Sequence, residues 1–153
     1  MKKLSVGAWI CCAAALLAIL GFIAYTSNVS GEGYYQGAYV NNFSLAVLGA
    51  AVCLLLSVCL NAAAKGKVVD IVTGILLIAA PALLAFALMN LVAGRVDGLG
   101  YIFFSNADVA KEVQTAANMG SANTAIWSMA LLGAALLAAV VGAFFSLRKK
   151  NAA

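Results

Sequence analysis

"VVDIVTGILLIAAPALLAFALMNLVAGR" occupies residues 68–95, and between Asp70 and Arg95 it holds no charged side chain. A helix rises about 1.5 Å per residue, so about 20 apolar residues cross the roughly 30 Å of hydrocarbon in a bilayer. This stretch is long enough to span, and its two charges lie at the ends, where they can reach the interface. Hydrocarbon offers a backbone no hydrogen-bonding partner, so such a segment has to be helical. Working outward, residues 4–26 and 41–63 before it and 124–146 after it read the same way, each without a charge at its centre. Of the 153 residues, 65% are hydrophobic and 9% charged, whereas soluble domains carry about 45–50% apolar and about 25% charged residues. The expected fold is an all-α integral membrane protein, a four-transmembrane-helix bundle forming a single membrane domain over residues 1–153.

Lys2 and Lys3 ahead of the first apolar run give it the look of a secretory signal. A signal's apolar core is only about 7–15 residues long, and this run continues from Leu4 to Tyr25 with no convincing small-residue cleavage site after it. It is read as a retained helix.

Basic residues orient the chain. Lys2, Lys3, Lys65, Lys67, Arg148, Lys149 and Lys150 fall on one side of the four spans, leaving Arg95 and Lys111 on the other. The second side also carries Glu32, Asp97, Asp108 and Glu112. Both termini are therefore expected in the cytoplasm, with the plasma membrane as the location. Tyr34, Tyr35, Tyr39, Phe43, Phe103, Phe104 and Trp127 fit an outer aromatic belt, and Trp9, Phe144 and Phe145 an inner one. These anchors account for the net charge of +4. No basic stripe interleaves with stacking aromatics, so nucleic acid is not an expected partner.

Two short stretches repeat. "NVSGEGY" (28–34) and "RVDGLGY" (95–101) each follow a span and share Val, Gly, Gly and Tyr in order. Sliding 4–35 against 71–102 also aligns Gly7 with Gly74 and "ALLA" (15–18) with "ALLA" (82–85). Further on, "FSLAVLGAA" (43–51) matches "WSMALLGAA" (127–135). The pattern predicts two tandem hairpins, 4–63 and 68–146, related by an axis along the membrane normal. Both G-x-G-Y stretches are expected to be external turns, since glycine tolerates positive φ and close backbone approach.

The longer second loop, 95–123, opens Ser105 to Asp108 like a capping box and continues with helix-forming residues until Gly120. A short amphipathic helix over about 106–119 is expected there, with Asn123 or Thr124 capping the last span. Within the membrane, the helices are expected to meet over small side chains. Span two offers Gly49, Cys53, Ser57 and Asn61 at four-residue spacing, and span four offers the stripes Ala134, Ala138, Gly142 and Ala135, Ala139, Ala143. Pro81 removes a backbone donor inside span three and predicts a kink. Among intramembrane polar residues, Asn90, Ser57 and Asn61 are the candidates for gluing helices together, Asn90 above all.

Chemistry is scarce. There is no histidine, no phosphate-binding glycine loop and no charge at the centre of a span. Cys11, Cys12, Cys53 and Cys59 form no C-x-x-C pair, and thiols in apolar surroundings are inert. They read as small packing residues, with no metal and no cofactor implied. The expectation is a non-enzymatic scaffold or accessory subunit that binds partners through its external cap and its small-residue helix faces. A small oligomeric channel or transporter with a pathway near the pseudo-axis is the alternative. Expected partners are membrane lipids and either another membrane protein or further copies of the chain. The candidate binding residues are Gly31, Gly33 and Tyr34 of the first turn, Gly98, Gly100 and Tyr101 of the second, and Phe103 and Phe104.

Overall fold

The computed structural model describes residues 5–145 and 147, and among these there is no strand. Four helices are long and apolar enough to cross a membrane: α1 (Val6–Ser30), α2 (Phe43–Ala63), α3 (Lys67–Ala93) and α6 (Ala116–Phe144). Two short helices, α4 (Val96–Phe104) and α5 (Ala107–Val113), lie between α3 and α6. The spans read from the sequence are thus present, with α1 running on past 26 and α6 starting before 124.

The long helices form an antiparallel ring in which α1 packs on α2, α2 on α3, α3 on α6 and α6 back on α1, with α1–α6 and α2–α3 the most extensive pairs. Along α1 and α6 the register holds from end to end. Ser5 Oγ donates to the Leu147 carbonyl at 2.8 Å, Ser128 Oγ to the Gly21 carbonyl at 2.9 Å, and Asn28 Nδ2 to the Ser121 carbonyl at 2.7 Å. Small residues set the spacing between them. A Cβ added to Gly21 would lie 2.9 Å from Leu132 Cγ, and one added to Gly142 would lie 3.0 Å from Cys11 Sγ. That is the close approach lipid-embedded helices need, because the surrounding tails supply no hydrophobic drive of their own. The centre is closed by Ala14, Ala18, Ala50, Leu54, Ala80, Leu84, Leu132 and Ala135, all but inaccessible.

The seam predicted on α2 faces α3. Gly49 comes against Leu83, and Asn61 Nδ2 donates to Thr73 Oγ1 at 2.9 Å. Ser57 is buried but bonds its own helix, at the Leu54 carbonyl. On α6 the buried stripe is Ser128, Leu132, Ala135, Ala139 and Gly142, whereas Ala134 and Ala143 are not part of it. Pro81 lies inside α3, and the helix runs on through it. The four cysteines are free.

Three expectations are corrected. Residues 98–101 are not a turn: Val96–Phe104 is a helix. Gly31 and Gly33, by contrast, lie in irregular backbone after α1, with Gly33 at φ 125°. The seven-letter match therefore joins two different conformations, and glycine's mild penalty in a helix, about 1 kcal/mol, is overridden by packing.

Second, the letter alignment of the spans does not match the faces they bury. It sets buried Leu77, Ala80 and Leu84 over Ile10, Ala13 and Leu17, none of them buried. Moving by one residue, about 100° around a helix, brings them opposite buried Cys11, Ala14 and Ala18. Apolar runs align by letter without aligning by face.

Third, the helix expected over 106–119 is broken at Gln114–Thr115. Thr115 is extended and accepts from Asn118 N, so it, rather than Asn123 or Thr124, caps α6. Asn118 Nδ2 closes the end of α5 on the Val113 carbonyl at 2.8 Å. Side chains that can cap compete with continued helix, and here two of them do so at one point. At the start of α5 the cap is Asn106, which accepts from Val109 N, while Ser105 bonds back to the Tyr101 carbonyl and ends α4.

Candidate functional site

The ends of the long helices opposite the α2–α3 link carry an ordered cap built around Arg95. After α3 stops at Ala93, Gly94 and Arg95 lead into α4, and the Arg95 side chain turns inward until it is 1% exposed. Its Nη2 donates to the Ala38 carbonyl at 2.8 Å, and its guanidinium lies 4.5 Å from the Tyr35 ring and 5.7 Å from the Tyr25 ring. Both distances are within cation–π range. Among the described residues no carboxylate pairs with it. The charge is met instead by two aromatic faces, by carbonyls, and by the negative end of the α3 dipole directly beneath it.

Tyr35 closes the arrangement. Its hydroxyl donates to the Arg95 carbonyl at 2.6 Å, and its backbone N–H donates to Ser121 Oγ at 3.2 Å. Burial pushes its phenol up from about 10 to about 12, against the opposing pull of Arg95. Burial likewise holds the Arg95 guanidinium below its ordinary value, opposed by Tyr25 and Tyr35. Tyr25 accepts from Val40 N at 2.7 Å, so the loop between α1 and α2 is pinned at Tyr35, Ala38 and Val40. Among the described residues, two buried polar side-chain atoms keep no partner, Arg95 Nε and Asn28 Oδ1.

The predicted residues divide. Gly98 is where α4 meets the first loop, since a Cβ there would lie 2.5 Å from Tyr34 Cε1 and 2.6 Å from Tyr35 Oη. Tyr34 and Tyr101 come together across that contact, with ring centroids 6.1 Å apart, and both rings stay partly exposed. Gly33 faces elsewhere, onto the outer turns of α6, where a Cβ would meet the Ala117 carbonyl at 2.5 Å. Gly31 caps α1 through its N–H on the Ser27 carbonyl, and Gly100 has open space around it. Phe103 is half-buried and Phe104 is 87% exposed. Asn90 does not reach across the bundle: its Nδ2 bonds the Phe86 carbonyl one turn back in α3. An amide can satisfy itself on its own helix when no partner lies opposite. Among the described residues, the side chains that hydrogen-bond from one long helix to another are Asn28, Asn61 and Ser128.

Sequence reading missed Arg95 as an interior residue with Tyr25 and Tyr35 around it, and missed Asn28 and Ser121, which fasten Tyr35 from behind. A signal was present. Arg95 is the one basic residue next to an outer span end, where basic residues are scarce. Among the described residues, no three His, Cys, Asp or Glu side chains converge on a point. The groups that do converge are rings, hydroxyls and a guanidinium already engaged by the fold.

Fold and cap together define an all-helical chain with four helices able to cross a membrane and an ordered cap at one end. No family model, no curated protein and no solved structure matches it.

Proposed function

We propose that this is a non-enzymatic four-span scaffold or accessory subunit. It sits in the plasma membrane with both termini cytoplasmic and uses its outer cap to hold a membrane-protein partner or a second copy of itself. The observation that carries the reading is the Tyr34–Tyr101 pair, 6.1 Å apart and partly exposed on a base fastened by Tyr35 and Arg95. Aromatic rings on a rigid base lose little entropy on binding, and for that reason they anchor interfaces. The closed, small-residue centre of the bundle supports the same reading over a conducting one. Loop 31–42 and the α4–α5 segment differ in length and shape, so a partner would meet an asymmetric lip.

A purified, reconstituted preparation tests this directly. Tyr34→Ala with Tyr101→Ala should lower recovery of the co-purifying partner, or the oligomer fraction, by about tenfold, the loss expected of an anchor pair, with helicity unchanged. Ion flux through liposomes that contain the chain alone, unaltered by the double substitution, would shift the assignment to a channel.

A further inference from the structure

We propose that α4 is an interfacial helix whose apolar side, Val96, Leu99, Phe103 and Phe104, rests on phospholipid at the headgroup–acyl boundary of the outer leaflet. Continuity with the lipid-facing surface below supports this. Near its outer end α3 exposes Met89 and Val92, and after the two-residue break exposed Val96 carries the apolar surface onto α4. The charge that would have interrupted it, Arg95, is drawn inside the cap. From Gly98 to Phe104 the helix holds no charged residue, and it ends in an aromatic pair whose last ring is 87% exposed.

The neighbouring segment shows the opposite chemistry. Phe104 is followed by Ser105 and Asn106, and then α5 displays Asp108, Lys111 and Glu112, all exposed. Lys111 Nζ approaches Asp108 Oδ1 at 3.9 Å with both side chains almost fully in solvent. The α4–α5 segment is thus split lengthwise into an apolar helix and a charged one. Such a division is what a chain needs when it returns from the leaflet surface to water. Trp127 and Tyr39, both exposed, supply the outer aromatic belt at which interfacial residues collect. Asp97, in the first turn of α4, stays at headgroup level, and the Phe103–Phe104 end dips deepest. A chain with no protein partner at all would still seat itself this way.

Fluorescence depth measurement decides it. Trp9→Phe and Trp127→Phe remove the native tryptophans, both exposed, and Phe104→Trp or Asp108→Trp then supplies a single reporter. The full chain goes into phosphatidylcholine vesicles with and without lipid brominated along the acyl chain. Trp at 104 should emit at shorter wavelength than Trp at 108 and lose about half its intensity to bromolipid, as expected for a ring sunk below the headgroups. Acrylamide in the water should quench the 108 reporter several-fold more strongly. Tyr101→Trp gives a second reading on the same helix and should fall between the two. Equal behaviour of the 104 and 108 reporters, with both quenched from water and neither by bromolipid, would overturn the assignment.

Discussion

Arg95 keeps its charge at any physiological pH, yet the fold takes it out of solvent with no carboxylate among the described residues to meet it. Such burial is costly unless hydrogen bonds and aromatic faces replace the lost water, and Tyr25, Tyr35 and the Ala38 carbonyl are the replacements. The Tyr35 hydroxyl must stay protonated to donate to the Arg95 carbonyl. Its folded pKa of about 12 stands above its ordinary 10, so above pH 10 the unfolded chain releases this proton before the folded one does. The stabilisation is whole below pH 10 and is lost as pH rises toward 12. Unfolding in mixed micelles should therefore show stability falling through that window. Tyr35→Phe should abolish the Tyr35 share of the fall while costing about 1 kcal/mol at neutral pH, the ordinary worth of a hydrogen bond. A variant that keeps the full alkaline slope would mean that other groups cause it.

At the scale of elements, polar side chains hold the bundle only where a partner stands opposite. Asn61 on α2 reaches Thr73 on α3, whereas Asn90 on the same α3 turns to its own backbone. Interhelical hydrogen bonds in membranes are worth about 0.6 kcal/mol on average and up to about 1.7. Asn61→Ala should accordingly lower stability by about 1 kcal/mol, while Asn90→Ala stays within about 0.5 kcal/mol, as expected for surface changes away from such contacts. Equilibrium unfolding of the two variants side by side measures the difference, and a larger loss at Asn90 would contradict this register. The sequence points to Asn90 as the stronger helix-gluing candidate, and the structure gives that role to Asn61 instead. Both sit in apolar runs, and only the rotation of each helix decides which one faces a neighbour.

For the whole molecule, the ring order α1–α2–α3–α6 puts the α2–α3 link and the Arg95 cap at opposite ends of the bundle. Which side is cytoplasmic rests on the basic residues. With the four native cysteines replaced by alanine, Gln36→Cys should react with a membrane-impermeant maleimide on intact cells. Asn151→Cys should react only after permeabilisation. The reverse pattern would invert the proposed orientation.

Span number and helical character followed from the sequence alone. They depend on a single coarse quantity, apolar length without charge, which residues 68–95 and the three like them carry on their face. Polar and aromatic residues collecting between the third and fourth spans also marked the end of the bundle where the Arg95 cap lies. Faces were not legible. An apolar residue reads the same whether it meets lipid or a neighbouring helix, so "ALLA" aligned with "ALLA" one residue out of phase with burial. Nor could the sequence tell that "GLGY" would be helical and "GEGY" a bend. What the fold demands at Gly98 is the absence of a side chain, because Tyr34 and Tyr35, more than sixty residues earlier, occupy the space where one would stand. The inward turn of Arg95 has the same origin. Its aromatic cage is assembled from α1, the first loop and the end of α3, and only packing brings those three together.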